Sequence, residues 1–87
     1  MASYKIYWKK SALKELKKLE SQIILNIISS VEKLALNPLP HGVKKLTLSD
    51  FTYRIRVGNY RIIYSLFRKD LTIEIIRVGH RKDIYKK

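Results

Sequence analysis

This sequence predicts an α+β domain of order β-α-α-β-β-β, an antiparallel sheet with a two-helix hairpin packed on one face. Three observations predict it. Apolar residues recur at helical spacing between Ser11 and Asn37, and they alternate at strand spacing from residue 51 to residue 78. A Gly58-Asn59 pair then joins two of the alternating runs as a hairpin turn. The 87 residues suffice for one domain, residues 1–87, and not for two.

Each element has its own local reason. Residues 3–8 are rich in aromatic and β-branched side chains and read as a first strand. From Ser11 onward Leu13, Leu16 and Leu19 form an apolar stripe set among lysines, which reads as a first helix. Ser21 is the expected N-cap of a second helix. That helix carries Ile23, Ile24, Ile27, Ile28, Val31, Leu34 and Ala35 on one broad face, and Asn37-Pro38 ends it. The short link between the two makes them an αα-hairpin.

Pro38-Leu39-Pro40-His41-Gly42 reads as a loop, after which residues 43–48 begin the sheet with Lys44 and Lys45 exposed. The hairpin strands are residues 51–57 and 60–67. A turn near Lys69-Asp70 leads to a last strand, residues 71–78, with Leu71, Ile73 and Ile75 directed at the helices. Trp8 is expected to pack in the helical layer. The chain shows no internal repeat, low-complexity segment or linker.

Composition narrows the class of partner. A hydrophobic content of 46% supports a modest core, and without cysteine that core must hold by packing alone. Nineteen Lys and Arg against seven Asp and Glu give a net charge of +12, which favours a polyanionic partner: RNA, DNA, an acidic protein or an anionic membrane. The N-terminus has no apolar run of signal-peptide length and no segment reaches the length of a membrane span. Lys9, Lys10, Lys14, Lys17 and Lys18 read as a solvated helix face, so no membrane partner and a cytoplasmic location are expected.

The most informative stretch is YRIRVGNYRIIY, residues 53–64. A two-residue type II′ turn at Gly58-Asn59 puts Tyr53, Ile55, Val57, Tyr60, Ile62 and Tyr64 on one face and Arg54, Arg56 and Arg61 on the other. Arg56 then lies directly across from Arg61. Like charges directly opposite destabilise a sheet, and no acidic residue between 53 and 64 relieves them. An anion is the expected occupant of that face.

A second segment, RVGHRKDIY at residues 77–85, concentrates Arg77, His80, Arg81, Lys82 and Tyr85 at the end of the last strand. Strand pairing can bring this end near Arg61 and Arg56. Cysteine is absent, His41 and His80 are far apart, and no carboxylates stand at metal-ligand spacing, so no metal site and no cofactor are expected. There is also no Gly-rich phosphate loop or serine nucleophile motif. Cations, phenols and imidazole suit RNA cleavage by the substrate's own 2′-OH, because guanidinium groups stabilise the extra charge of a phosphorane transition state.

The order of elements and these two motifs resemble the RelE/ParE toxin superfamily of toxin–antitoxin systems, and within it the RelE-type ribosome-dependent mRNA endonucleases. The resemblance covers nearly the whole chain and is carried by residues 53–85. It implies a metal-independent endoribonuclease that enters the ribosomal A site, cuts mRNA by activating a 2′-OH, and is held by a cognate antitoxin. Arg54 and Arg56 fall where the family has basic residues that contact or activate substrate. Arg61 and Arg81 fall at phosphate-stabilising positions, and Tyr85 at the C-terminal tyrosine that stacks on or orients mRNA.

The chain departs from the family at one point. RelE-type enzymes can have lysine at the positions of Arg54 and Arg56, where it is a candidate general base, whereas arginine stays protonated. His80 or Tyr85 would then take the proton. Lys44, Lys45, Arg77 and Lys82 are expected to attract RNA, although simple alternation sets Arg77 with Ile73 and Ile75 on the core side. Tyr53, Tyr60 and Tyr64 match the isoleucines in parity and read as core, and His41 as an ordinary surface residue. Two other functions remain open: a ParE-like DNA gyrase inhibitor without RNase activity, and a nucleic-acid-binding module without catalysis.

Overall fold

The computed structural model describes residues 3–47 and 49–84. The chain runs β1 (Lys5–Trp8), α1 (Lys10–Lys17), α2 (Ser21–Leu34), β2 (Lys44–Lys45), β3 (Thr52–Val57), β4 (Tyr60–Phe67) and β5 (Thr72–His80). The strands form one sheet in the order β1-β5-β4-β3-β2. α1 lies against β5 and α2 against β3, so the predicted α+β class with its helical hairpin stands.

The sheet is antiparallel except at one edge, where β1 pairs parallel to β5, Lys5 opposite Thr72 and Trp8 opposite Ile75. The direction of β4 relative to its neighbours is set by tight turns. β1 meets β5 across almost the full length of the chain, where no turn dictates direction, and the helical hairpin carries the chain between them. The expected strand at residues 43–48 is reduced to Lys44–Lys45, which pairs with Arg54 and Tyr53 and leaves the outer edge of β3 uncovered toward Val57.

The helices bury the faces their spacing dictates. Ala12 and Leu16 of α1 and Ile27, Val31 and Leu34 of α2 enter the core, while Leu13 and Leu19 are half-buried. Lys9, Lys10, Lys14, Lys17 and Lys18 are all exposed. Glu20 rather than Ser21 is the N-cap of α2, with no side-chain cap, and the helix closes at Ala35 before reaching Asn37. The sheet contributes Ile55, Ile62, Tyr64, Leu66, Ile73, Ile75 and Val78 to the core.

Trp8 and Tyr60 pack against this core as half-buried side chains, and Tyr53 stacks on Tyr64 with ring centroids 6.0 Å apart. Tyr64 is completely buried and its hydroxyl donates to the Pro38 carbonyl at 2.5 Å, which ties the loop after α2 to the sheet. Burial pushes the Tyr64 phenol well above the usual tyrosine range, and Tyr53 adds to the effect.

Two expectations for the last strand are corrected. Leu71 does not face the helices: it sits in the turn before β5 with a left-handed backbone, φ 48°, and is 39% exposed. Arg77 does not share the face of Ile73 and Ile75. Tyr64 pairs with Ile75 while Ile63 pairs with Arg77, so Ile76 is an extra residue in β5, a β-bulge. One inserted residue exchanges the two faces of everything beyond it. Val78 thereby joins Ile62 in the core, and Arg77 moves to the register of Ile63 on the opposite face.

Candidate nucleic-acid interface

The hairpin that positions the cations has the predicted register. Val57 pairs with Tyr60, Ile55 with Ile62, Tyr53 with Tyr64 and Arg56 with Arg61. Gly58 has φ 60° and Asn59 is not in the left-handed region, as a type II′ turn requires. Cross-strand pairing sets Arg56 and Arg61 about 5 Å apart at Cβ. Arg54 lies opposite Ile63 in β4 and Lys44 in β2, which brings Lys44 onto the arginine face.

Lys45 pairs with Tyr53 instead, and so belongs to the other face. There it makes an exposed ion pair with Asp50 at 3.8 Å. The arginine face is polarised along its length. At the end away from the hairpin turn, Thr52, Ser65 and Glu74 stand in one row across β3, β4 and β5.

On the β5 side the neighbour of Arg61 is Gly79. A Cβ built there would meet Ile84 Cδ1 at 3.0 Å, so the missing side chain makes room for Ile84. Residues 81–84 turn back after β5, with the His80 carbonyl accepting from the N–H groups of Asp83 at 2.8 Å and Ile84 at 2.9 Å. Ile84 is 1% exposed yet stands outside the main core cluster, so it seals the Arg61 side of the sheet. The backbone N–H of Arg81 donates to the Asn59 carbonyl at 2.8 Å, which pins this exposed arginine beside the hairpin turn. Arg61 itself donates to the Tyr60 carbonyl at 3.3 Å.

The predicted residues thus separate into two groups. Arg54, Arg56, Arg61 and Lys44 share one sheet face, with Arg81 held at its hairpin end. His80 pairs with Tyr60 and meets its ring edge-on at 5.4 Å, so its register is that of the helix-covered face. Its Nδ1 accepts the Lys82 N–H at 3.1 Å, and the neutral ring then carries its proton on Nε2. The Lys82 side chain is exposed. Tyr85 lies outside the described residues.

Arg77 is engaged by protein groups. Nη1 donates to the Ile84 carbonyl at 2.9 Å and Nη2 to Glu15 Oε2 at 3.1 Å. Glu15 Oε1 accepts the Val78 N–H at 2.9 Å. β1 pairs with β5 only as far as Ile75, so this carboxylate from α1 satisfies an N–H at the edge that β1 leaves open. Glu15, Gly79, Ile84 and the Asn59 carbonyl are parts of the site that motif reading missed. The available signal was Glu15 itself, the single acidic residue among four lysines between residues 9 and 17.

Among the described residues no three His, Asp or Glu side chains gather to hold a metal ion, and no helix is long and apolar enough to cross a membrane. At its hairpin end the arginine face offers guanidinium groups, with Lys44 beside Arg54, while the Thr52 and Ser65 hydroxyls and the Glu74 carboxylate stand at the far end. Such a surface binds phosphate oxygens through charge-assisted, bidentate hydrogen bonds.

Comparison with known proteins defines the class. Residues 6–85 match the family described as the ParE toxin of the type II toxin–antitoxin system, parDE. The toxin RelE3 of Methanocaldococcus jannaschii is 38% identical over 85 residues, covering 93% of this chain and 94% of that one. In the crystal structure of the archaeal RelE–RelB complex from Pyrococcus horikoshii, the matching chain is 29% identical with a TM-score of 0.83, over 93% of this chain and 98% of that one. The RelB–RelE antitoxin–toxin complex from Methanococcus jannaschii gives 32% identity and a TM-score of 0.76, over 92% and 95%. The chain belongs to the RelE/ParE superfamily of type II toxin–antitoxin toxins.

Proposed function

We propose that this toxin is a ribosome-dependent mRNA endonuclease that cuts in the A site, works in the cytoplasm without metal or cofactor, and is neutralised by a cognate antitoxin. The observation that carries the reading is the Arg56–Arg61 cross-strand pair with Arg81 tied to the adjacent turn. Like charges held in register cost stability, and a phosphate between them reverses the sign of that interaction.

In this mechanism the 2′-oxygen attacks the neighbouring phosphorus and the bond from phosphorus to the 5′-oxygen breaks. The leaving 5′-oxygen takes a proton from water, and the products are a 2′,3′-cyclic phosphate and a 5′-hydroxyl. Arg61 and Arg81 receive the non-bridging oxygens as charge builds on them, while Arg54 and Arg56 orient the strand. Lys44 and Lys82 add long-range attraction, with less from Lys45 on the other face. Arg77, in the register of Ile63 on the same face, supports the site by holding the 81–84 turn.

The proton from the 2′-OH goes to Tyr85, acting as its phenolate, in preference to His80. His80 has the register of the opposite face, and its Nδ1 already accepts the Lys82 N–H. Its place at the root of the 81–84 turn supports a positioning role. The partner assignment rests on the relatives crystallised with RelB antitoxins and on the +12 charge, which attracts an acidic segment.

The test is primer extension on mRNA from translating ribosomes supplied with the purified chain. Codon-positioned cuts that vanish in Arg81→Ala are expected. The family description that matches the chain also names ParE, which favours one second reading, inhibition of DNA gyrase. Intact mRNA with blocked supercoiling would establish that reading, and nucleic-acid binding without either effect would leave a non-catalytic module.

A further inference from the structure

A cavity of about 380 Å³ opens where β2 stops short and leaves β3 uncovered, between α2, the turn at residues 40–42 and β3. Its walls carry Ser30 and Lys33 from α2, His41 from the turn and Arg56 from β3, over an apolar floor of Ile55 and Pro40. The three nitrogen-bearing side chains come from three separate elements, and no acidic side chain lines the space. Among the described residues none of Lys33, His41 or Arg56 has a side-chain hydrogen bond or ion pair.

All three side chains are exposed and hydrated in the free protein, and the two cations, Lys33 and Arg56, facing one hollow without a carboxylate between them favour an anion there. Donors on the walls with an apolar floor match a ligand that has an anionic end and a flat, weakly polar body. The volume is in the range of small-ligand pockets and exceeds what a bare phosphate fills. A nucleotide has that chemistry. Arg56 also belongs to the arginine face, so one residue borders both spaces.

We propose that this cavity is a second nucleotide subsite, which holds the phosphate and base of one unit of the RNA strand that crosses the arginine face. Lys33, His41 and Arg56 hold the phosphate and Ile55 and Pro40 lie under the base. The assignment rests on the reading of the arginine face as an RNA site. The same phosphate chemistry is offered by a free mononucleotide, so the two sources are separated experimentally.

The test titrates the ¹⁵N-labelled chain, without ribosomes, with adenosine 5′-monophosphate and with a five-nucleotide RNA carrying 2′-O-methyl groups throughout, which cannot be cleaved. Saturable amide shifts are expected at Ser30, Lys33, Gly42 and Arg56, with the oligomer binding at least about tenfold tighter because it engages both spaces. Lys33→Ala and His41→Ala should each weaken oligomer binding about three- to tenfold, and Lys10→Ala, an equal loss of charge on the exposed side of α1, less than about twofold at the same ionic strength. Retained spectral dispersion in each variant excludes unfolding. Equal affinity for both probes overturns the strand assignment and leaves a free-nucleotide site. Absence of shifts at these residues, or equal losses in Lys10→Ala and Lys33→Ala, overturns the subsite. The probe is uncleavable, so a chain that fails to cut mRNA can still pass this test, and a chain that cuts can still fail it.

Discussion

Glu15 and Arg77 form the contact that closes the open edge of β5: one carboxylate oxygen accepts from Arg77 at 3.1 Å while the other accepts the Val78 N–H at 2.9 Å. The same guanidinium reaches the Ile84 carbonyl at 2.9 Å, so a helix, a strand edge and the turn bearing the site's tail share one ion pair. The side chains keep 30% and 40% of their exposure, which leaves the Coulomb part weak and the hydrogen bond to the strand edge the larger contribution. Glu15→Ala is expected to cost about 1–2 kcal/mol, read as a melting point lower by about 5–10 °C. Glu15→Gln, which keeps an acceptor for Val78, should lose less than half of that. Equal losses in the two variants would mean that charge rather than the edge hydrogen bond matters.

The Arg56–Arg61 pair sets stability against activity. Arg61→Thr relieves the cross-strand repulsion and places a β-branched residue in the strand, so the fold should gain about 0.2–1 kcal/mol at low salt. Cleavage on the ribosome should fall by about a hundredfold or more, as for the loss of a transition-state donor. Denaturant melts beside primer extension measure both. A variant that loses stability and activity together would remove the case for Arg61 as a functional rather than a structural residue.

The two neighbouring lysines should behave differently although the sequence treats them alike. Lys44 shares the face of Arg54, and Lys45 shares that of Tyr53 and pairs with Asp50. Lys44→Ala is expected to weaken binding of uncleavable RNA and reduce the log–log salt slope by about one. Lys45→Ala should change either quantity only slightly. Fluorescence anisotropy between low and moderate salt separates them.

Gly79 controls the tail that precedes Tyr85. Gly79→Val would drive a branched side chain into Ile84, whose Cδ1 already stands 3.0 Å from the position of an added Cβ. Cleavage should drop by about tenfold or more through misplacement of the residues that follow. Gly79→Val should also release the Asp83 and Ile84 amides to hydrogen exchange. Ile84→Ala, which leaves room, should show the converse balance, about 2 kcal/mol of lost stability with the turn bonds intact.

Alkaline stability should report Tyr64. Burial raises its folded-state value above the ordinary tyrosine value of about 10. The stabilisation is therefore complete below about pH 10 and is lost as pH rises further, because the unfolded phenol ionises while the buried one resists. Between wild type and Tyr64→Phe the slope should differ by up to about 1.4 kcal/mol per pH unit above pH 10. Urea melts at pH 9, 10 and 11 measure it, and parallel slopes would place the Tyr64 hydroxyl in contact with water.

Local sequence dictates what lies within one turn of the chain. The Gly58-Asn59 turn fixes the register of β3 and β4, so the apolar face and the Arg56–Arg61 juxtaposition are legible in the residues alone. The two helices are legible from their stripes, to within a residue or two at their ends. Long-range packing sets everything that depends on partners far along the chain. The bulge at Ile76 moves Arg77 off the core face, Glu15 meets Val78 across the helix–strand boundary, and β1 takes a parallel partner. His41, unremarkable in its loop, comes to share a cavity with Lys33 and Arg56. Alternation encodes a face only while the ladder is regular, and a bulge or an uncovered edge is set by pairing energies summed over strands that no local window contains.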